Sequence, residues 1–327
     1  MRKILITGGA GFIGSHLVEA AAAAWPEARI VVLDKLTYAA DPAYIAPLLD
    51  SGRAELVTGD VCDFDLCARL ARDCDLVIHA AAESHVDRSF HSSILFTQTN
   101  ALGTHTVMEA CRAAGVPRIV HVSTDEVYGE VLSGENDETA ELNPTNPYSA
   151  SKAAAEMIVN GYRHSFQLPV VVVRANNIFG IRQFPEKLIP ASIMALLDGR
   201  RIQLHGDGSN RRRYLAAPDF AEALVLLARA GTVGETYNVA APEEHSNSAV
   251  ARMICTLMGA DFDSSVEFVA DRPFNDRRYA ITAAKIAALG WAPRRGLAAE
   301  MPAIVEWYRR HADTLRRKRA AQAGGDE

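Results

Sequence analysis

Long apolar runs are missing from this 327-residue chain: none approaches the ~18 residues that a membrane-spanning helix needs. Paired cysteines are missing too. The five present, Cys62, Cys67, Cys74, Cys111 and Cys255, form no C-x-x-C motif and are odd in number, which argues against a disulfide framework or a cysteine-held metal. Positive charge is not in excess. With 34 Lys and Arg against 40 Asp and Glu, the net charge of -6 removes the electrostatic reason to expect nucleic acid or an anionic membrane as partner. It leaves room for local basic pockets that hold a phosphate-bearing substrate. The start, "MRKILITGGAGFIG", is basic and briefly apolar, but its glycines come too early for a signal-peptide core. Internal repeats and low-complexity linkers are absent as well. Together these absences lead us to expect reduced thiols, a soluble protein and a cytoplasmic location.

Apolar residues make up 49% and charged residues 23%, a globular composition able to bury a sizeable core. Short β-branched runs read as strands at 3–7, 29–34, 54–59, 75–80, 118–123 and 169–174. They alternate with helical segments at about 12–24, 63–73, 93–114 and 146–165. Nearly continuous apolar strands spaced by helices predict a parallel sheet covered on both faces, a doubly wound α/β (Rossmann) domain over 1–175. A strand and helix around 212–230 and the run "ETYNVA" (235–240) are expected to return to that sheet. The remainder of 176–327 is expected to form a smaller, discontinuous C-terminal lobe that binds substrate across a cleft. Residues 318–327 are expected to fray.

"ITGGAGFIGSHL" carries Gly8-x-x-Gly11-x-x-Gly14 directly after a strand and directly before a helix. Such glycines let the backbone turn tightly, approach a pyrophosphate and pack helix on strand, while the helix N-terminus offers unpaired N–H groups. Asp34 ends the second strand, where a carboxylate accepts hydrogen bonds from a ribose diol and repels a 2′-phosphate. The choice is therefore NAD over NADP, with Lys35 beside it softening the preference. "GDV" (59–61) would place Asp60 by the adenine amine, and "HAAAESHVDRS" (79–89) puts small residues where a side chain would meet the cofactor.

"NPYSASKAAAE" places Tyr148 and Lys152 four residues apart on one helix face. Tyrosine titrates near 10 in water, and a neighbouring ammonium moves it toward the working range of a base. Thr124, in "HVSTDEVYG" at a strand exit, can donate to the same substrate oxygen. Two carboxylic acids, Asp125 and Glu126, follow it.

These pieces resemble the extended short-chain dehydrogenase/reductases that act on nucleotide sugars, over essentially the whole chain. "STDEVYG", "DKLTY" (34–38), "AAESHVDRS" (81–89), "PYSASKA" (147–153), "FPEKLIP" (184–190) and "DRPFNDRRYAI" (271–281) are similar to the dTDP-glucose 4,6-dehydratases within that family. The resemblance implies that Tyr148 takes the proton of the sugar 4-hydroxyl while hydride leaves carbon 4 for NAD. Glu126 is then the base for the carbon 5 hydrogen and Asp125 the acid for the departing carbon 6 hydroxyl. Hydride returns to carbon 6, and the net reaction is loss of water. One acid must hold its proton while its neighbour stays ionised. It further implies a cofactor set of Gly8, Gly11, Phe12, Ile13, Gly14, Asp34, Lys35, Thr37, Asp60, Val61, Ala80, Ala82, Tyr148 and Lys152. The substrate set is Ser84, Asn177, Lys187, Leu188, Arg212, Asn238, Arg272 and Asn275, with arginine forks on the diphosphate.

Some residues depart from the family pattern. Three consecutive arginines, 211–213, leave open which one meets phosphate, and Asn275 replaces a frequent histidine. Both lie at the nucleotide end, so thymine and uracil stay open there. A UDP-glucose 4,6-dehydratase, a 4-epimerase and a hexuronate decarboxylase remain alternatives, as does a non-catalytic NAD-binding scaffold. A decarboxylase needs no acid for a leaving hydroxyl, so Asp125 discriminates against it. The helices at 93–114 and 146–165 could pair two copies into a homodimer through a four-helix bundle, or could be core.

Overall fold

In a computed structural model, residues 1–271 and 276–323 are described. The six apolar runs of the first half become β1 (Lys3–Thr7), β2 (Arg29–Asp34), β3 (Ala54–Thr58), β4 (Leu76–His79), β5 (Ile119–Thr124) and β6 (Val170–Ala175). The chain then places β7 (Asn177–Phe179), β8 (Ile202–His205) and β9 (Arg211–Ala216) elsewhere and comes back with β10 (Thr236–Val239). Across the large sheet the order is β10-β6-β5-β4-β1-β2-β3, parallel throughout. β-branched residues suit a pleated surface buried on both faces, and Val170 to Val173 of β6 are at most 1% exposed. Cutting one such side chain to alanine would cost roughly 1–5 kcal/mol.

Helices cover both faces. α1 (Phe12–Ala24) packs on the returning helix from Ala217 to Ala230 through Leu17, Val18, Ala21, Phe220 and Leu224. The opposite face takes α2 (Phe64–Ala71), α3 (Gly103–Ala114) and α4 (Pro147–Phe166), with Leu66, Met108, Val159 and Tyr162 in its core. The helix expected over 93–114 is continuous, with helical dihedrals at both junctions, but contains a π-helical stretch at Thr97–Leu102 between a turn at Ser93–Phe96 and α3. Side chains compete with the ladder there, since Thr104 Oγ1 donates to Asn100 O at 2.6 Å and Thr106 Oγ1 to Leu102 O at 3.0 Å.

A second core gathers Phe179, Ile193, Tyr214, Ile254, Val305 and Tyr308. It lies among α5 (Leu188–Leu197), α7 (Asn247–Met258) and α8 (Leu297–Ala323), whereas α6 (Ala217–Ala230, the returning helix) belongs to the core of the large sheet. Two small sheets flank it, β11 (Glu244–Ser246)-β9-β7 and β12 (Val266–Val269)-β8. The expectation that a strand near 212 rejoins the large sheet is corrected here. Only α6 and β10 return; β9 pairs with β7, Asn177 opposite Tyr214 and Phe179 opposite Ala216, because its aromatic Tyr214 is buried in the second core. The expected fraying from 318 is also corrected, since α8 runs to Ala323.

The order of the large sheet reverses between β4 and β1, which is where open α/β sheets form a crevice beyond the strand ends. β1, β4 and β5 all end on that crevice.

Candidate active site

One cleft of about 860 Å³ runs from the glycine turn to the second core. At its floor, Gly8 has φ +74°, and a Cβ there would lie 2.8 Å from Ala81 Cα, so only glycine passes under the Ala80–Ala82 segment. A Cβ on Gly14 would strike Gly8 O at 1.9 Å, which fixes how closely α1 meets the turn. Gly11, the N-cap of α1, has no side-chain cap bond, and a Cβ there would meet only Gly8 O at 3.3 Å. Uncapped N–H groups facing open space suit an anion, so the turn fits a dinucleotide pyrophosphate. Phe12, Ile13, Thr37, Val61, Ala80 and Ala82 all border the same space.

Asp34 is 8% exposed and accepts from Ala10 N–H at 2.9 Å and Leu36 N–H at 2.8 Å. Burial raises its pKa against those bonds. Lys35, expected to soften the preference against a 2′-phosphate, is paired with Asp60 at 2.8 Å. Its charge is thereby compensated, and the Asp34 carboxyl borders the cleft beside it. Asp60 is held by Lys35 and by Cys62 N–H at 2.9 Å, and its pKa is lowered.

The sheet edge carries the reactive groups. β5 ends at Thr124, whose Oγ1 accepts from Glu126 N–H at 3.2 Å and so caps a 3-10 turn from Asp125 to Tyr128. That turn sends the two acids to different environments. Asp125 is 2% exposed, and burial pushes its carboxyl up to about 7, with Glu126 adding to the rise. The Nδ2 of Asn176 donates to Asp125 Oδ2 at 2.7 Å and only partly offsets this. Glu126 is half-buried, at 3.4 Å from Asn146 Nδ2 and 3.5 Å from the Tyr279 hydroxyl.

Tyr148 opens α4, where Asn146 and Ser149 form a capping box that sets the helix entry. Its phenol is 8% exposed, and its pKa is pushed up by burial and then by Glu126. Lys152 sits on the same face with Nζ donating to Val122 O at 2.8 Å, and burial lowers it to about 8. The expected direct easing of Tyr148 by Lys152 is therefore not what this geometry provides. Burial and the carboxylates outweigh it.

Among the substrate candidates, Ser84, Asn177, Lys187, Leu188 and Arg212 border the cleft. Lys187 Nζ donates to Ser84 O at 2.8 Å, bridging the two sides. Of the three arginines only Arg212 reaches the cleft. Its guanidinium lies 4.5 Å from the Tyr279 ring centroid and donates to Asp276 O at 2.7 Å. Arg213 is turned to Glu135 and Ile281 O, and Arg211 lies 3.7 Å from Glu244. Strand alternation, which puts residues 211 and 213 on one face and 212 on the other, is the signal that could have decided this.

Asn238 is a correction. It is 0% exposed on β10, does not border the cleft, and accepts from the Tyr128 hydroxyl at 2.9 Å. Tyr128 in turn accepts from Arg174 Nη1 at 2.6 Å, and Arg174 forks onto Glu156, so Asn238 belongs to a buried polar scaffold beneath α4. Arg272 and Asn275 lie outside the described residues. Sequence reasoning missed Asn176, Asn146 and Tyr279, the immediate neighbours of the acids. It also missed Asn100, whose Nδ2 reaches Glu83 O at 2.9 Å and Ser151 Oγ at 2.8 Å.

A glycine turn at the reversal of a parallel sheet, beside a Thr, Tyr and Lys set, defines a nucleotide-binding protein of the short-chain dehydrogenase/reductase type. Comparison with known proteins narrows the class. A family model described as GDP-mannose 4,6 dehydratase matches residues 5–301, and the chain belongs to that family. It is 44% identical over 313 residues to a trifunctional UDP-glucose 4,6-dehydratase/UDP-4-keto-6-deoxy-D-glucose 3,5-epimerase/UDP-4-keto-L-rhamnose-reductase of Arabidopsis thaliana. That match covers 94% of this chain and 47% of the plant protein, so the chain spans about half the length of such relatives. It is 39% identical to the dTDP-D-glucose 4,6-dehydratase of Mus musculus, covering 95% of this chain and 89% of that one. Among solved structures, DesIV, a dTDP-glucose 4,6-dehydratase from Streptomyces venezuelae crystallised with NAD, superposes with a TM-score of 0.91. The identity there is 42%, over 94% of this chain and 97% of DesIV.

Proposed function

We propose that this chain is an NAD-dependent dehydratase that converts a nucleotide-diphospho-glucose, with dTDP-glucose the first choice, to the 4-keto-6-deoxy sugar. The observation that carries the reading is the split between adjacent acids: Asp125 buried and raised to about 7, Glu126 half-buried beside it. NAD, when bound, supplies a hydride acceptor for carbon 4, a hydride donor for carbon 6, and a positive ring charge. Tyr148 Oη takes the proton of the 4-hydroxyl, with Thr124 Oγ1 orienting that oxygen. The Glu126 carboxylate removes the carbon 5 hydrogen, made acidic by the ketone at carbon 4. Asp125, protonated near neutral pH, gives its proton to the oxygen leaving carbon 6. Microscopically these are ordinary acid and base steps, each contributing about 10²–10⁴ in rate.

In this reading residues 1–175, with α6 and β10, hold the dinucleotide, and the rest of 176–327 holds the nucleotide sugar. Arg212 and Lys187 face the diphosphate. Relatives with both thymine and uracil substrates match over this length, so UDP-glucose is the second reading. Exposed Ile94, Leu102, Met157 and Phe166 lie on the 93–114 segment and on α4, which supports a homodimer formed through those helices. No helix among the described residues is long and apolar enough to cross a membrane, in keeping with action in the cytoplasm. Mass spectrometry of the products from dTDP-glucose and UDP-glucose tests the reading. A product lighter by one water from either sugar supports it and names the base; an isomer of unchanged mass points to an epimerase and refutes it.

A further inference from the structure

Residues 35–41 leave β2 and border the cleft with Thr37, Ala39 and Ala40. The segment begins in an unusual conformation: Leu36 has φ +56°, a left-handed backbone that leucine rarely adopts. Such a conformation persists only where surrounding contacts over-determine it. Asp34 provides some of them, bonding Leu36 N–H on one oxygen and Ala10 N–H on the other. Asp41 N–H donates to Ala10 O at 2.9 Å and ties the far end to the same glycine turn.

Two further contacts come from the second half of the chain. The Tyr38 hydroxyl donates to Glu186 Oε2 at 2.8 Å, and the Tyr38 ring meets Phe184 edge-on at 5.0 Å. Arg88 covers the same ring at 4.2 Å. At the other end, Lys318 Nζ reaches Asp41 Oδ2 at 2.8 Å and Ala40 O at 3.0 Å. Lys318 and Asp41 are only 25% and 19% exposed, so this pair is less screened than a surface ion pair. Arg316 fixes the end of α8 to Asp198 at 2.8 Å, and Arg319 reaches the cleft wall. The helix end expected to fray is instead bolted to the cofactor side.

We propose that residues 35–41 are a retaining strap over the adenosine half of the dinucleotide groove, held closed by Tyr38–Glu186 and Lys318–Asp41. The inference rests on reading that groove as the NAD site. Tyr38 and Lys318 are positioning residues, acting through Thr37 and the glycine turn. The strap cannot lift unless both lobe contacts break. A redox-neutral cycle has no need for the dinucleotide to leave between turnovers, and a strap held from the substrate lobe enforces that.

The test uses the full chain loaded with NAD and mixed with excess NADH, whose bound fluorescence reports the departure of NAD. Lys318→Ala should release NAD about tenfold faster, the loss of a charge-assisted contact, and Tyr38→Phe a few-fold faster. Lys318→Arg should restore slow release, while kcat at saturating NAD and KM for the sugar nucleotide stay unchanged in all three. Wild-type release rates in both Lys318→Ala and Tyr38→Phe would overturn the strap. So would a drop in Tm with no faster release, which is the signature of a merely structural staple. A wild-type protein that binds neither NAD nor NADH would overturn the groove reading and the strap together, which separates the two failures.

Discussion

Two charged groups of the cleft, Asp125 and Arg212, are managed by opposite means. At the sheet edge, Asp125 is 2% exposed and its proton affinity is remade by burial. Arg212, whose charge acts on Asp125, is half-buried, rests on Tyr279 and is steered by the main-chain carbonyls of Asp276 and Arg277. The first setting alters what a group is at neutral pH; the second decides where a cation points. Desolvation acts strongly on a carboxyl whose pKa lies within reach of pH 7, whereas a guanidinium keeps its charge almost anywhere.

The sharpest way to break this comparison is at the acids. Asp125→Asn should lower dehydration by about 10²–10⁴ while oxidation at carbon 4 continues, seen as reduced cofactor accumulating under single turnover. Tyr148→Phe, by contrast, should abolish cofactor reduction itself. In the wild type, dehydration should fall as pH rises through about 7, as Asp125 loses the proton it must donate. Full dehydration by Asp125→Asn would end the acid assignment.

For the cation, Arg212→Ala should raise KM for the sugar nucleotide roughly ten- to a hundredfold, as expected for losing a hydrogen bond to a charged group. Arg211→Ala should leave it unchanged, because that side chain faces Glu244 outside the cleft. Equal effects from the two would erase the distinction drawn between them.

A further effect is on stability, and its sign follows from the raised pKa. Asp125 binds its proton more tightly folded than unfolded, so its favourable contribution is complete below the ordinary value of 3.8 and is lost as pH rises through about 7. Asp125→Asn keeps a neutral group there at every pH. It should match the wild type in unfolding free energy near pH 4 and exceed it above pH 7, by roughly 2–4 kcal/mol. An Asp125→Asn protein with no larger stability advantage over the wild type at pH 8 than at pH 4 would contradict the buried charge.

Where the fold repeats a local pattern, the sequence was legible. The six β-branched runs and "ETYNVA" became strands within a residue or so, since a strand buried on both faces shows its composition plainly. Gly8, Gly14, Thr124 and Tyr148 were legible because backbone geometry or strand ends demand them. Other features depend on partners distant in the chain. Nothing near "NN" (176–177) says that the first asparagine holds an acid 51 residues away while the second faces the cleft. Asn238 was expected at the site from the family resemblance alone, yet its side chain turns into the Glu156–Arg174–Tyr128 network. The π-helical stretch at 97–102 holds Asn100, whose bonds to Glu83 and Ser151 are contacts that periodicity cannot register.

Asn176 stands alone between β6 of the large sheet and β7 of the small one. It is therefore both the joint by which the chain crosses from one lobe to the other and the amide that steadies Asp125. The main-chain path between the two sheets and the proton affinity of the acid thus meet in one asparagine.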